Sequence, residues 1–430
     1  MTATDHPRSW YAATANPHAA YPALRGETDC DVVVVGGGYT GLTAALELAR
    51  RGYAVVVLEA CRVGWGASGR NGGHIATGFN MAMSGIARLV GQADAHRLWD
   101  MAEEAKALLQ ARVDRHAIAC DLRWGYFTGA LKGRQLDGLA RTVEECRDVY
   151  GYRSYRMIAG ADVAGIVDCA AYVGGMLDAG AGQLHPLNYA LGLARAAAEA
   201  GARICELSAV QRIEAGERVV AITPAGRVRA RYGVIAGNAY VHPLTSNAWA
   251  LMRSRIMPVG TYMVATQPMD PARARRLIPS GVAVADANFV INYYRLSPDH
   301  RMLFGGGVNY SGIDGPGHGR GLRRTMLRFF PDLADLGIDH VWGGHVAITR
   351  NRLPQFGRLA GNVYFAQGFS GHGVSLTGLA GTLMAEAIAA TAERFDVFAR
   401  LPHRAFPGGR LLRMPSLVLA MAWFRLRDRL

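Results

Sequence analysis

The chain has 430 residues, half of them apolar, so it can bury a large core, and its length predicts about two or three domains. Its net charge of +13 comes from cations spread along the whole chain, and all basic residues except Lys106 and Lys132 are arginine, so we expect no nucleic-acid partner. Six scattered cysteines without a Cys-x-x-Cys pair exclude a disulfide framework and predict no metal site.

The N-terminal residues 1–28 are rich in proline, alanine and aromatic residues without periodicity, which predicts an extended arm. The opening MTATDHPRSW lacks the charged start and apolar run of a secretory signal. No stretch approaches the roughly 20 apolar residues that span a bilayer. We therefore expect a cytoplasmic protein.

A βαβ unit begins at Asp31, where VVVV predicts a strand, GGGYTG a turn, LTAALELARRG a helix and YAVVVLE a second strand. Gly36, Gly38 and Gly41 match the Gly-x-Gly-x-x-Gly pattern that brings a dinucleotide pyrophosphate to helix N-terminal amides. Glu59 ends the second strand, where a carboxylate accepts hydrogen bonds from ribose hydroxyls and disfavours NADP. The unit predicts dinucleotide binding, and the alternative is a plain structural turn.

The stretch GWGASGRNGG, residues 64–73, begins five residues after Glu59 and is too rich in glycine for a helix. Glycines let a flat ring approach the backbone, and Ser68 and Asn71 offer hydrogen bonds to its polar edges. This favours FAD over NAD, although a flexible surface loop is the alternative.

Later segments predict helices at 82–118 and 187–201, a strand at 121–131, a β-meander running into VIAG, and a hairpin in FVINYYRLSPDHRMLFGGG. Near the other end, GFSGHG (368–373) precedes a predicted helix at 375–391, whose positive end would stabilise negative charge on a reduced flavin. His372 could act there as a hydrogen-bond donor, or be an ordinary surface histidine.

The predicted fold is α/β (α+β overall), with a Rossmann-like FAD-binding domain built from separated segments and interleaved with an antiparallel-sheet substrate domain. The expected parts are an N-terminal arm (1–28), an FAD-binding domain (29–120, 181–240 and 341–400), a substrate-binding domain (121–180 and 241–340) and a C-terminal tail (401–430).

Taken together, these motifs resemble the D-amino-acid-oxidase-like superfamily of FAD enzymes, which has a D-amino-acid-oxidase/glutathione-reductase-like fold, and within it the γ-glutamylputrescine oxidoreductase group. The segments that carry the resemblance are SWYAATANP, DCDVVVVGGGYTGL, VVVLEACRVGWGASGRNGG, WGGHVAITRNRLPQFG, YFAQGFSGHGVSLTGLAG and ERFDVFARLPH.

The resemblance implies a non-covalently bound FAD and gives each segment a part of it. The implied contacts are the pyrophosphate at Gly36, Gly38, Tyr39, Thr40 and Gly41; the ribose at Glu59 and Ala60; the flavin and its linker along Arg62, Gly66, Ala67, Ser68, Arg70, Asn71, Gly72 and Gly73; the adenine near Val210; further contacts at Gly237, Asn238 and Ala239; and the flavin pyrimidine edge at Gly368, Ser370, Gly371, His372, Gly373 and Val374.

One departure from the superfamily pattern bears on the substrate. Members that oxidise free α-amino acids carry an arginine two residues after the glycine that matches Gly344, and this chain has Val346 there. Without that guanidinium no charge-assisted pair anchors an α-carboxylate, which favours an amine substrate. No cysteine follows Cys205, so the covalent flavin link of related sarcosine oxidases is excluded from this segment.

The implied reaction is oxidative deamination of a γ-glutamylputrescine-like or other polyamine-type substrate, by hydride transfer to flavin N5 and hydrolysis of the imine to an aldehyde. Oxygen or another acceptor would reoxidise the flavin, and neither lysine is a convincing match to the lysine that promotes the oxygen reaction in some relatives. The candidate catalytic residues are His345, Tyr293, Tyr294 and His74, each of which could instead be structural.

Three alternatives stay open. The chain could oxidise small or secondary amino acids such as sarcosine, glycine or a D-amino acid; it could be a flavoprotein subunit without activity of its own; or, most remotely, it could modify RNA. The tail LLRMPSLVLAMAWFRLRDRL could touch a membrane surface, although docking on the protein body is favoured. The sequence does not predict an oligomeric state.

Overall fold

Two β-sheets with helices packed on them organise the part of the chain that the computed structural model describes, residues 5–241, 252–309 and 317–407. The helices are α1 (Trp10–Ala13), α2 (Tyr39–Ala49), α3 (Met83–Val90), α4 (Gln92–Arg115), α5 (Gly133–Tyr150), α6 (Pro186–Glu199), α7 (Pro271–Leu277), α8 (Gly317–Phe329), α9 (Gly373–Ile388) and α10 (Glu393–Ala399). The strands are β1 (Gly26–Val35), β2 (Val55–Leu58), β3 (His74–Ile75), β4 (Arg123–Ala130), β5 (Tyr155–Ala159), β6 (Gly174–Gln183), β7 (Arg203–Cys205), β8 (Arg212–Glu214), β9 (Val219–Thr223), β10 (Gly226–Ile235), β11 (Met257–Thr266), β12 (Ala283–Asp286), β13 (Tyr293–Leu296), β14 (Met302–Asn309), β15 (Ile338–Ile348), β16 (Gln355–Leu359) and β17 (Val363–Gln367).

The first sheet contains eight of these described strands in the order β16-β17-β10-β1-β2-β7, with β9 paired to β10 and β8 to β9. Strand β1 pairs in parallel with β2 and β10, and β17 extends the parallel part beyond β10. Strand β2 is buried throughout, as its unbroken VVVL run predicts. Helices α2 and α9 pack closely on each other because Gly381 leaves room: a Cβ there would lie 2.6 Å from the Thr40 carbonyl oxygen.

The second sheet contains nine described strands in the order β15-β11-β14-β13-β12-β4-β6-β3, with β5 paired to β6. Its pairs are antiparallel apart from β4 with β12. The predicted hairpin is confirmed, with β13 antiparallel to β14. One face of this sheet carries a core that includes Tyr294, Phe304 and Phe330, which α8 and its following turn cover.

The two sheets are assembled from interleaved parts of the chain. The parallel strands of the first sheet come from near residues 26–58, 203–235 and 363–367, and strands of the second sheet lie between them in sequence. The predicted fold class, a Rossmann-like domain built from separated segments and interleaved with an antiparallel-sheet domain, is therefore confirmed.

Two segments differ from the expectation. The N-terminal arm is not extended throughout, because Ser9 caps the short helix α1 and Trp10 and Tyr11 are buried in the core. Helix α5 was not predicted: its segment carries many charged residues and Cys146 is its one buried residue, although Leu136, Leu139, Val143 and Cys146 have helical spacing.

Within the described ranges no helix is long and apolar enough to cross a membrane, and no group of three His, Cys, Asp or Glu side chains is placed to hold a metal ion. All six cysteines are free. The apolar tail considered for membrane contact, residues 411–430, lies outside the described residues.

Candidate functional site

The site begins at the turn between β1 and α2. Gly36 has φ +112°, a region that favours glycine, and a Cβ there would lie 2.9 Å from the Ala236 carbonyl oxygen. A Cβ on Gly41 would come within 2.0 Å of the Gly36 carbonyl oxygen. Two of the three pattern glycines are therefore required by close backbone packing, and this packing brings the start of α2 next to the end of β10.

Glu59, directly after β2, faces the same turn. Its Oε2 accepts a hydrogen bond of 2.7 Å from the Gly37 backbone N–H, and its Oε1 accepts one of 2.9 Å from the Cys61 N–H. Burial raises the pKa of this carboxyl, and the two backbone N–H groups oppose that rise. The carboxylate is thus held in one orientation at the end of the parallel strands.

The stretch 64–73 folds into an ordered loop with a short 3₁₀ turn at Ala67–Gly69. Ser68 Oγ accepts a hydrogen bond of 3.0 Å from the Tyr39 N–H at the start of α2. Asn71 Nδ2 donates to the Ala67 and Ser68 carbonyls at 3.0 and 3.1 Å, and Asn71 Oδ1 accepts from the Gly73 N–H at 2.7 Å. The polar side chains predicted to bind a ring also hold the loop in shape.

The segment 368–374 reaches the site from the other end of the chain. Ser370 donates its backbone N–H to the Ala347 carbonyl at 3.0 Å, and its own carbonyl accepts a hydrogen bond from Asn80. Helix α9 begins at Gly373, and residues of its first turn line the same space as the first turn of α2. Two helix N-termini give this space a positive potential.

These elements enclose a cavity of about 460 Å³. Most of the predicted cofactor-binding residues line it. They are Gly36, Gly38, Tyr39, Thr40, Glu59, Ala60, Gly66, Ala67, Ser68, Asn71, Val210, Gly237, Asn238, Ser370, Gly371, Gly373 and Val374. The other predicted residues, Gly41, Arg62, Arg70, Gly72, Gly73, Ala239, Gly368 and His372, do not line it.

Several residues outside the cavity wall support it from behind. Arg62 pairs with the buried Glu206 at 3.0 Å, and Arg70 stacks over the Trp65 ring at 4.0 Å while donating to the Gly343 carbonyl at 3.2 Å. Gly368 donates its N–H to Asn238 Oδ1 at 2.9 Å. These contacts connect the loop 64–73 and the segment 368–374 to the two sheets.

The ring of His372 is oriented by Thr77. Its Nε2 lies 3.0 Å from the Thr77 carbonyl oxygen, which can only accept, so Nε2 carries the proton and donates. Burial lowers the pKa of His372, which keeps the ring neutral. The Nε2–H is thus engaged by Thr77 rather than directed into the cavity, which differs from the expected donor role.

Sequence reasoning missed several lining residues, among them three aromatic ones, Trp65, Tyr240 and Phe369, and Thr377 on α9. Tyr240 OH accepts a hydrogen bond of 2.9 Å from the His345 backbone N–H. Aromatic residues within glycine-rich segments are the signal that could have found them, because they supply the flat walls between which the backbone approaches.

Of the four candidate catalytic residues, Tyr293 and His74 lie together. Their rings pack edge to face at 5.4 Å, and Tyr293 OH lies 3.4 Å from Thr261 Oγ1. His74 Nε2 is buried and has no hydrogen-bond partner among the described residues. Burial, and then the positive charge of Arg295, lower the pKa of His74 to about 3, so its ring is neutral.

The other two candidates lie elsewhere. Tyr294 points into the core on the opposite face of the second sheet, where it is fully buried and its OH donates to Tyr172 OH at 3.0 Å. His345 lies on β15 with its ring 5.8 Å from that of Tyr240, beside the cavity-lining Val346. The alternation along β13 thus sends Tyr293 towards the loop 64–73 and Tyr294 away from it.

The two lysines are both outside the cavity wall. Lys106 Nζ is buried in a network with Thr77 Oγ1 at 2.7 Å and Glu103 at 2.8 Å, and Lys132 precedes helix α5. The described residues that line the cavity include no arginine or lysine, and Val346 contributes an apolar side chain to its wall.

Comparisons with known proteins agree with this geometry. The family model of FAD-dependent oxidoreductases called DAO matches residues 31–387. The γ-glutamylputrescine oxidoreductase of Escherichia coli (strain K12) is 42% identical over 427 residues, which cover 99% of this chain and 99% of the relative. The probable oxidoreductase OrdL of Haemophilus influenzae is 37% identical over 426 residues, 99% of this chain and 98% of the relative.

Among solved structures, glycine oxidase from Geobacillus kaustophilus superposes with a TM-score of 0.70 at 24% identity, over 84% of this chain and 95% of that one. The L-proline dehydrogenase from P. horikoshii gives a TM-score of 0.71 at 23% identity, over 88% and 96% of the two chains. These likenesses establish the shared fold.

The described residues of the cavity fit FAD, the cofactor of this family. The two helix N-termini supply N–H groups for a pyrophosphate and for a negatively charged ring edge, and Glu59 supplies an oriented carboxylate. Gly38 lets the loop 64–73 approach the start of α2 closely, since a Cβ there would lie 2.8 Å from Ser68 Oγ. The sequence-based prediction of FAD is confirmed.

Proposed function

Because the chain belongs to the DAO family of FAD-dependent oxidoreductases, we propose that it oxidises the carbon next to an amine nitrogen in γ-glutamylputrescine or a related polyamine-type substrate. The product imine reacts with water to give an aldehyde and ammonia or a smaller amine. The bound FAD supplies the two-electron acceptor, and oxygen or another acceptor takes the electrons from it.

The observation that carries the substrate class is Val346. It lines the cavity on β15, at the position where the family resemblance implies an arginine in members that oxidise free α-amino acids, and the described lining residues include no guanidinium. A carboxylate beside the reacting carbon would therefore be desolvated against an apolar wall without a partner, at a cost of several kcal/mol. The full-length identity of 42% to the E. coli γ-glutamylputrescine oxidoreductase supports the same choice.

For the cofactor, we assign the pyrophosphate to the start of α2, the ribose hydroxyls to Glu59, the flavin and its linker to residues 64–73, and the flavin pyrimidine edge to the start of α9. The support is that each of these segments contributes to one continuous cavity wall.

The amine must lose a proton before its lone pair can assist oxidation. A primary ammonium with a pKa near 10.4 costs about 4 to 5 kcal/mol to deprotonate at neutral pH. Tyr293, His74 and Thr261 present an aromatic, weakly polar surface, and desolvation there lowers the pKa of a bound ammonium. We propose that neutral His74 and Tyr293 OH orient the amine rather than hold its proton, because a histidine with a pKa of about 3 is a weak base.

We place His345 at the edge of this surface as a second orienting group. Its backbone N–H is fixed by Tyr240 OH, so its ring position is coupled to a residue of the cavity wall. Tyr294 is left out of the proposal, since its hydroxyl is engaged with Tyr172 inside the core.

The proposal is tested by anaerobic titration of the FAD-loaded protein with γ-glutamylputrescine, putrescine, sarcosine, glycine and a D-amino acid, while the flavin absorbance is followed. We expect bleaching by the γ-glutamyl amine at the lowest concentration and little by the α-amino acids. Repeating the reactive pair in air with peroxide detection distinguishes oxygen from another acceptor. Preferential bleaching by glycine, sarcosine or the D-amino acid would overturn the substrate class, and a flavin that no amine bleaches would overturn the activity.

A further inference from the structure

Arg295, on strand β13, is a buried cation behind the loop 64–73. Its side chain is 2% exposed. Its Nε donates to the Gly72 carbonyl at 3.0 Å, and one terminal nitrogen donates to the Leu184 carbonyl at 3.1 Å and to Tyr11 OH at 3.4 Å. One guanidinium thus joins the loop, the end of β6 and the N-terminal helix α1.

The charge of Arg295 has no carboxylate partner within 4.0 Å among the described residues. Other buried or half-buried arginines differ, since Arg62 pairs with Glu206 and Arg112 with Glu47. Desolvating a cation is costly, and neutral carbonyls and a phenol compensate only part of that cost. A buried and unneutralised charge of this kind therefore projects a positive potential onto its surroundings.

The nearest part of the cavity is the loop itself. Gly72 accepts the hydrogen bond from Arg295, and the residue before it, Asn71, lines the cavity. The guanidinium is therefore separated from the cavity wall by one hydrogen bond and one residue of backbone, which is less than about 10 Å. The same charge also contributes to the lowered pKa values of His74 and His185, where burial is the larger cause. The positive potential of Arg295 thus disfavours protonation of these two histidines, as expected of a cation without a carboxylate partner among the described residues.

We propose that Arg295 is a positioning residue of the cofactor site, which fixes the Gly72–Gly73 turn and supplies a permanent positive charge that favours the negative charge gained by the bound FAD on reduction. The proposal rests on the assignment of the flavin to residues 64–73. At an effective dielectric constant of about 20, a unit charge within about 10 Å shifts the equilibrium for adding one negative charge by about tenfold.

The test is the reduction potential of the FAD-loaded protein, measured by equilibration with redox dyes and a chemical reductant, so that no amine substrate is needed. For R295M and R295Q we expect the equilibrium between oxidised and reduced flavin to move about tenfold towards the oxidised form, about 30 mV for a two-electron couple. R295K keeps the charge and loses the forked hydrogen bonds, so we expect its potential to stay within threefold of the wild type, while FAD is released more readily.

The matched control is R112M, which removes a buried arginine that is paired with Glu47 and bonded to Thr382, and which should leave the potential unchanged. An equal shift in R112M and R295M, or an unchanged potential in R295M and R295Q, overturns the proposal. If the neutral variants fail to fold, the test rests on R295K. A tenfold move of the flavin equilibrium towards the oxidised form in R295K would show that geometry, and not charge, sets the potential, and would overturn the proposal. Failure of the protein to oxidise any amine would leave this measurement intact and would count against the proposed function alone.

Discussion

The ring of Tyr293 packs directly on the backbone of Gly72: a Cβ on Gly72 would lie 2.7 Å from Tyr293 Cε2. The side chain from the second sheet and the loop at the cofactor cavity are therefore in contact without an intervening side chain, which places Tyr293 beside the loop assigned to the flavin.

Replacing Gly72 with alanine should disturb both partners. The new methyl group must displace the Tyr293 ring or the loop, at a cost typical of overpacking, about 1 to 3 kcal/mol. We expect kcat/KM for the amine to fall at least tenfold and FAD to dissociate more readily, as measured by steady-state kinetics and by flavin fluorescence after dilution. Gly138→Ala, on α5, where a Cβ meets nothing closer than 3.9 Å, is the control and should be neutral or slightly stabilising. Equal effects of the two substitutions would contradict the argument.

Tyr293→Phe and Tyr294→Phe form a matched pair of neighbouring hydroxyl deletions. The first removes the hydroxyl beside Thr261 and His74, so we expect a fall of about tenfold in kcat/KM with little change in melting temperature. The second removes a buried hydrogen bond to Tyr172, so we expect normal kinetics and a loss of about 1 kcal/mol of stability. Steady-state kinetics and thermal denaturation of both variants test this. A kinetic defect in Tyr294→Phe with normal kinetics in Tyr293→Phe would show that Tyr293 is not part of the site.

Val346→Arg should change which ligands the site accepts. A guanidinium at this lining position would repel an ammonium and could pair with a carboxylate, so we expect KM for the amine to rise at least tenfold while small carboxylates become inhibitors. Inhibition constants for a simple carboxylate such as benzoate provide the measurement. Val341→Arg, on the same strand with its side chain 45% exposed, is the control and should behave like the wild type. Amine kinetics unaffected by Val346→Arg would place the substrate elsewhere.

Acid should destabilise the protein partly through His74. Its pKa is about 3 in the folded chain and about 6.5 when unfolded, so between these values the unfolded chain takes up a proton that the folded chain does not. The stability that the neutral ring contributes is therefore fully present above pH 6.5 and is lost as the pH falls, by about 1.4 kcal/mol per pH unit.

Chemical denaturation at several values between pH 6.5 and 4.5 measures this slope. We expect His74→Asn to reduce the slope of the free energy of unfolding against pH by the contribution of about one proton, about 1.4 kcal/mol per pH unit. Burial raises the pKa of Asp286 to about 6, so Asp286 contributes to the pH slope of stability with the opposite sign. Because this contribution is the same in the wild type and in the variant, the difference between their slopes reports on His74. Parallel curves for the two proteins would show that His74 is not buried as a neutral ring.

Much of the fold followed from local patterns. The unbroken VVVV and VVVL runs, the Gly36 to Gly41 turn and the Pro-Asp-His turn each have one strongly preferred local structure, so β1, β2, α2 and the β13–β14 hairpin were predictable. Helix α5 was not predicted, although its apolar residues have helical spacing, because the segment carries many charged residues and buries only Cys146. Helix α1 was not, because the burial of Trp10 and Tyr11 depends on residues hundreds of positions away, such as Asp299 and Trp342.

The sequence by itself determined the cofactor class and most of the segments that line the cavity, since glycine spacing and a strand-terminal carboxylate act through local backbone geometry. It also has Val346 at the position where the family resemblance implies an arginine in members that oxidise free α-amino acids. Only the tertiary structure decided which side chains meet. Tyr293 and not Tyr294 faces the loop because the second sheet buries one face in its own core, His372 turns its proton to Thr77, and Arg295 lies unneutralised behind Gly72. Contacts between distant segments depend on how whole sheets pack, and no short stretch of sequence records that.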